Sequence, residues 1–439
     1  MSLQKIIDYP LWHPCSQMKD YEIFQPLRIT GAHGAYLELQ NGTKIIDAIS
    51  SWWCKSLGHN HPRLKKSLMQ QVEKFEHVIL ANTINETILN LSNKLTGLTQ
   101  SLKKIQYASD GSSVVEIALK MSLHSRLILN QQKRTQFIAL KNGFHGETCG
   151  ALSVSDLGLY KTPYEKMLFQ TYFIDSIPYV SNMNDPVWHD CSSEWEHIEK
   201  KLMPYENTAT ALILEPILQG AGGMKIYSQD LLKKLRNWTR KNNIHLIADE
   251  IMTGLGRTGK IFACEHANIE PDFLCLSKGL TAGFLPMSAM LTTNDIYDLF
   301  YDDYEKNKFF LHSHTHSGNA LSASVAIEVL NIIQSENLCH RAHELGKIMS
   351  EKMNAIANQT NKLKNIRWIG GVAAADLNTE HSNRRLGYEV YQKAVQLGAL
   401  LRPLGNTIYW LPPLNVGFSV IDALADITKN ALLSVTWPC

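Results

Sequence analysis

From about residue 105 to residue 295, short apolar runs alternate with stretches of helical periodicity. No other feature narrows the possible folds as far. Runs at 105–108, 136–140, 211–217, 244–249, 272–276 and 288–292 have strand length. Between two of them, Leu231, Leu232, Leu235 and Trp238 recur at helical spacing, Ser228 can cap, and basic residues fill the last turns. Strand–helix alternation predicts an α/β fold, a large domain built on a mostly parallel central sheet. A long helix is expected at 320–334, and the remainder, with short strands such as 365–369, reads as a smaller α+β domain. The expected division is 1–60, an N-terminal segment joining the small domain, then 61–330 and 331–439.

Composition removes several function classes. An apolar share of 44% and a charged share of 19% are ordinary for a globular chain of 439 residues. A net charge of +2 gives no electrostatic reason to expect nucleic acid or a membrane surface as partner. The eight cysteines are scattered without a C-x-x-C, which suggests reduced thiols rather than disulfides or zinc. The opening MSLQKIIDYPLWHP lacks the pattern of a secretory leader, and no apolar run approaches the roughly 20 residues of a membrane span. The expectation is a soluble cytoplasmic protein.

In open parallel sheets, ligands collect at the C-terminal ends of the strands. Asp249 ends one predicted strand and Lys278 follows another. A lysine and an aspartate so placed suit pyridoxal 5′-phosphate (PLP). The amine forms a Schiff base with the aldehyde, and the carboxylate pairs with the protonated ring nitrogen. Each residue alone has a plainer explanation, a solvated lysine and a helix-capping aspartate.

Other segments carry similar ambiguities. Gly111 and Ser112 open a predicted helix after a strand, where backbone N–H groups and the helix dipole favour a phosphate; a capped helix without ligand would look the same. Phe144, in N-G-F-H-G-E-T, suits either stacking on a flat ring or a core position. Trp52 and Trp53 form either core or a substrate wall. The segment H-S-H-T-H-S-G-N from His312 would present three imidazoles on one face if it were a strand. No carboxylate or cysteine accompanies it closely, so a loop offering Thr315 to an anion is preferred and no metal is expected. Arg257 and Arg402 are candidate carboxylate receptors or surface ion-pair residues.

Taken together, I-A-D-E-I-M-T-G-L-G-R-T-G-K (247–260), L-S-K-G-L-T-A-G (276–283), L-E-P-I-L-Q-G-A-G-G (214–223) and N-G-F-H-G-E-T (142–148) resemble the class III aminotransferases of PLP fold type I. The resemblance covers roughly residues 10–413. The segments W-H-P-C-S-Q-M, S-W-W-C-K-S-L-G-H-N-H-P and L-R-P-L-G-N-T-I-Y-W-L-P-P are similar to the branch that aminates 8-amino-7-oxononanoate in biotin synthesis.

The resemblance implies a role for each matching residue. Lys278 is the Schiff-base lysine and proton shuttle, and Asp249 holds the ring nitrogen protonated. Gly111, Ser112 and Thr315 bind phosphate, Thr315 acting from a partner subunit, so a homodimer with interface active sites is implied. Phe144 stacks on the ring and Glu215 lies near its hydroxyl side. Trp52, Trp53, Cys15, Phe144, Ser313 and His314 are substrate-side residues. Arg402 receives the acceptor carboxylate, with Arg257 as a secondary contact. Four positions depart from the family pattern: Cys15 and Phe144 where tyrosines are usual, Glu147 for aspartate and His314 for proline. The resemblance implies S-adenosylmethionine as amino donor; several of these departures lie toward the donor, so lysine is kept as the alternative. Another class III activity, on an ω-amino acid or diamine, is the rival.

Overall fold

The computed structural model describes residues 10–379 and 384–437. The stretch 1–9, read above for a leader, and Cys439 lie outside the described residues. The alternating region forms a seven-stranded sheet: β1 (Leu102–Ala108), β2 (Gln136–Leu140), β3 (Thr171–Ile174), β4 (Ala209–Leu214), β5 (His245–Asp249), β6 (Phe273–Leu276) and β7 (Ser288–Thr293). Their spatial order is β1-β7-β6-β5-β4-β2-β3. The pairs from β6 to β3 are parallel, while β7 runs antiparallel to both its neighbours. The fold is therefore α/β with a mostly parallel sheet.

Side chains alternate between the two faces, as a pleated strand requires. Ile247, Phe273 and Cys275 pack with Val114, Val115 and Ala118 of the helix Gly111–Ile128. On the other face, Leu246 packs in one cluster with Leu231, Leu235 and Trp238 of the helix Gln229–Lys241. Ala248, Leu274 and Leu276 pack with Ala323, Val325 and Val329 of the helix Ala320–Ser335. Because both faces are covered, β4 and β6 are buried along their whole length and read as continuous apolar runs.

Two local expectations differ from the structure. Strand β3 was not foreseen: it is a short edge strand in which only Ile174 is buried, so its pattern is weak. The run at 211–217 ends as a strand at Leu214, because Pro216 follows and Ile217 takes a left-handed φ of 68°. That early end places Glu215 just beyond the sheet. The His312–His316 segment is a loop and not a strand.

The C-terminal third carries its own antiparallel sheet of Leu363–Ile369, Val372–Leu377 and Thr407–Trp410. Its core is shared with helices Leu338–Thr360 and Phe418–Leu433. The N-terminal strand Lys44–Asp47 pairs in parallel with Ala399–Leu400, Leu400 lying opposite Asp47. Among the described residues, no helix is long and apolar enough to cross a membrane, and no group of three or more His, Cys, Asp or Glu could hold a metal.

Candidate active site

The C-terminal ends of β2, β4, β5 and β6 open onto one cavity of about 1180 Å³, lined by Phe144, Glu215, Asp249 and Lys278 among others. Register explains the central pair: β5 and β6 are parallel neighbours with Asp249 opposite Cys275, and Lys278 follows three residues on. Lys278 takes a left-handed φ of 38°, which turns the chain at the strand end. Removal from water pulls its amine below the ordinary lysine value, while Asp249 and Glu215 act in the opposite direction. Its Nζ lies 4.7 Å from the centre of the Trp53 ring.

The Asp249 carboxylate is nearly buried. One oxygen lies 2.8 Å from His145 Nδ1, and the other accepts from Ile251 N at 3.1 Å. Glu215 accepts from the backbone N–H groups of Phe144 and Gly220 at 3.0 and 2.9 Å. Burial, only partly offset by His145, pushes its carboxyl up to about 7.

Glu250, beside Asp249, faces away from the cavity and ties the segment 263–264 through its backbone N–H groups at 2.8 Å each. Burial raises its carboxyl from 4.5 to about 7. A carboxyl raised on folding contributes stability that is full below the unfolded value and is lost as pH rises through the folded one. Melting temperature measured from pH 4.5 to pH 7 should therefore fall less steeply in Glu250→Gln than in the unaltered protein.

The start of the helix Gly111–Ile128 forms a cradle. Asp110 caps it, accepting from Ser113 N at 2.9 Å, and Gly111 and Ser112 line the cavity. A Cβ on Gly111 would lie 3.1 Å from Ile251 Cδ1, and one on Gly146 would lie 2.2 Å from Ser112 Oγ. A side chain at either glycine would crowd Ser112 or Ile251, and its absence leaves the backbone open to close approach of a phosphate at the helix N-terminus. Together with a desolvated amine, a buried carboxylate and the Phe144 ring on the cavity wall, the donor set fits PLP.

The tandem tryptophans sit on an unusual backbone. Ser50, Ser51, Trp52 and Trp53 have φ of 50°, 44°, 69° and 74°, a single left-handed turn closed by Trp53 N to Ile49 O at 2.9 Å. Such conformations cost L-residues roughly 1–2 kcal/mol each, so the turn persists only where its surroundings hold it. Trp53 is buried and its Nε1 donates to Tyr409 Oη at 3.0 Å. Trp52 is 41% exposed, and the Arg402 guanidinium lies 4.0 Å over its ring. Arg402 also donates to the Cys15 carbonyl at 3.1 Å. The Cys15 thiol is 3.8 Å from Glu147, and burial followed by that carboxylate raises its pKa.

Of the residues singled out from the sequence, Cys15, Trp52, Trp53, Gly111, Ser112, Phe144, Glu215, Asp249, Lys278 and Arg402 all line this cavity. Ser313, His314 and Thr315 do not line it in their own chain. They lie in a loop where the Thr315 carbonyl meets His77 at 2.8 Å and the His312 and His314 rings meet at 3.0 Å. Arg257 also stays outside. It is buried and donates to the carbonyls of Gly371 and Pro412 at 3.3 and 2.8 Å, so it is neither a surface ion-pair residue nor part of the cavity wall. Burial lowers its guanidinium to about 9. Sequence reasoning missed His145, although it follows Phe144 directly, and Tyr160, which meets Phe144 edge-on at 5.9 Å. It also missed Arg385 on the rim, paired with Asp20 at 2.8 Å.

The family model described as Aminotransferase class-III matches residues 17–432, and the chain belongs to that family. It is accordingly a PLP-dependent aminotransferase. It is 42% identical over 410 residues to the adenosylmethionine-8-amino-7-oxononanoate aminotransferase of Helicobacter pylori, covering 92% of this chain and 91% of that one. Identity to the protein of the same name from Synechococcus elongatus is 37% over 412 residues, covering 92% and 93%. Among solved structures, the Methanocaldococcus jannaschii protein of that name superposes with a TM-score of 0.89 at 31% identity over 97% of both chains. A PLP-bound amine transaminase from an uncultivated Pseudomonas species superposes with a TM-score of 0.88 at 26% identity, covering 97% of this chain and 98% of that one.

Proposed function

We propose that this chain moves an amino group onto C7 of 8-amino-7-oxononanoate, giving 7,8-diaminononanoate for biotin synthesis, with S-adenosylmethionine as donor. One observation carries the choice of acceptor. The cavity holds a desolvated amine, Lys278, and also Arg402, which among the described residues has no carboxylate partner and rests on Trp52. A long amino-ketone ending in a carboxylate matches both. The names of the relatives support the same step.

The roles follow from position. PLP, when bound, supplies an aldehyde that captures amines and a ring that accepts the electrons of the bond being broken. Asp249, oriented by His145, would keep a proton on the ring nitrogen. Gly111 and Ser112 would hold the phosphate and Phe144 would lie against the ring, while Glu215 fixes the Phe144 and Gly220 backbones. Lys278 Nζ takes the proton from the donor Cα and later delivers one to the acceptor carbon. Its lowered pKa increases the fraction able to act as base near neutral pH. Arg402 binds the acceptor carboxylate, with Trp52 and Trp53 forming the walls. On the donor side, Glu147 offers a negative charge beside Cys15 that suits a sulfonium, and equally the ammonium of lysine as donor.

The enzyme is read as a cytoplasmic homodimer. Support comes from Thr315, Ser313 and His314 lying outside their own cavity, and from exposed Ile79, Ile84 and Leu311 at 62%, 71% and 80%. In that dimer Thr315 would complete the phosphate site of a second copy. The chain divides near residues 60 and 330, and the strand Lys44–Asp47 joins the first part to the C-terminal part through its pairing with Ala399–Leu400.

Incubation of PLP-loaded protein with 8-amino-7-oxononanoate and either donor, followed by mass spectrometry, tests the reading. Formation of 7,8-diaminononanoate is expected, and no product with either donor would exclude it. Arg402→Ala should raise the acceptor KM about 10- to 100-fold, the effect of losing one charge-assisted hydrogen bond. Its effect on the donor KM should be much smaller.

A further inference from the structure

Trp52 and Trp53 are consecutive, yet their rings meet different cations, Arg402 and Lys278. A left-handed turn of four L-residues makes this possible, and it needs an external hold. Trp53 has one in Tyr409. The Trp52 half has another. Asp47, at the end of the strand Lys44–Asp47, is fully buried and lines no part of the cavity. Its Oδ1 accepts from the backbone N–H groups of Ile49 and Ser51 at 3.4 and 3.1 Å. Its Oδ2 accepts from Ser51 Oγ at 2.7 Å and meets His59 Nε2 at 2.8 Å. Burial pushes the Asp47 carboxyl up, but the hydrogen bonds from His59 and Ser51 outweigh burial and hold it below its ordinary value, so it stays a charged acceptor. The same strand pairs with Ala399–Leu400, and Arg402 emerges two residues after Leu400, the residue opposite Asp47. The backbone pairing of this strand places Arg402, while the Asp47 side chain holds the turn that carries Trp52.

We propose that Asp47, with Ser51 and His59, is a positioning network that sets acceptor affinity by holding the left-handed turn so that Trp52 supports Arg402. The proposal rests on the reading of Arg402 as the acceptor's carboxylate receptor. Asp47 touches neither the cavity nor Lys278, so its carboxylate acts through the turn that carries Trp52. Trp53 keeps its Tyr409 anchor, and the Lys278 chemistry should be largely spared.

The test is a double-mutant cycle on the PLP-loaded enzyme. Asp47→Asn should raise the acceptor KM about tenfold, with kcat and donor KM within about threefold. Ser51→Ala should shift it the same way by a smaller factor, and it serves as the second variant should Asp47→Asn fold poorly. Adding Trp52→Ala to Asp47→Asn should bring the acceptor KM only to the value of Trp52→Ala alone, since residues acting through one another are not additive. Nonanoate titrated calorimetrically reports the same carboxylate site without turnover, and its affinity should fall about tenfold in Asp47→Asn. Independent, multiplicative effects of Asp47→Asn and Trp52→Ala would overturn the proposal. So would equal losses for donor and acceptor, or nonanoate binding unchanged by Asp47→Asn. Absence of nonanoate binding to the unaltered enzyme would remove Arg402 as receptor and the proposal with it. If the unaltered enzyme binds nonanoate but does not convert 8-amino-7-oxononanoate, the assigned substrate fails while the calorimetric comparison still decides the role of Asp47.

Discussion

Lys278→Ala should lower kcat by about 10⁴-fold, the upper range of what a positioned acid–base group contributes. The expectation comes from the site's geometry. Lys278 stands on a left-handed residue at the end of β6, its amine drawn out of water and set against the Trp53 ring. Among the cavity residues named above, no other amine is placed to take the donor Cα proton. The proposed phosphate cradle at Gly111 and Ser112 does not involve Lys278, so cofactor content measured by absorbance after denaturation should remain substantial. Single-turnover mixing with excess donor separates the two effects. Slow chemistry with cofactor still bound is the expected result, whereas turnover close to that of the unaltered enzyme would remove Lys278 from the mechanism.

Asp249→Asn should lower kcat by roughly 10³-fold, comparable with removal of one preorganised electrostatic group. The substitution keeps the shape of the side chain and an oxygen that can accept from His145 or Ile251. It removes the negative charge proposed to keep a proton on the ring nitrogen. Because the charge acts on the bond-breaking step, the acceptor KM should change far less than kcat. Parallel kcat and KM measurements check this. A loss confined to KM would reassign Asp249 to binding.

The parts of the site readable from sequence are those that depend on local pattern. Buried parallel strands read as apolar runs, so the ends of β5 and β6, and with them Asp249 and Lys278, could be placed to within a residue or two. The cradle at Gly111 followed from small residues after a strand. What was not readable depends on contacts between distant segments. The left-handed turn at Ser50–Trp53 contradicts the propensity of every residue in it and exists because Asp47, Leu411 and Tyr409 hold it. The stacking of Arg402 on Trp52 follows from pairing between Lys44–Asp47 and Ala399–Leu400, which no local pattern announces. Arg257 shows the reverse problem. Its motif suggested a substrate contact, yet it is buried with its guanidinium donating to the carbonyls of Gly371 and Pro412, outside the cavity lining. His145 was visible in its motif, but its role required seeing β2 and β5 end on the same edge of the sheet, with β4 between them.

The central claim is that this cavity passes an amino group from a donor to 8-amino-7-oxononanoate through Lys278 and its cofactor. The visible absorbance of the PLP-loaded enzyme tests it most directly. Added S-adenosylmethionine or lysine should bleach the band as the amino group is taken up, and 8-amino-7-oxononanoate added afterwards should restore it while 7,8-diaminononanoate forms. A band that neither donor bleaches, or one that bleaches and is not restored by 8-amino-7-oxononanoate, would contradict the account.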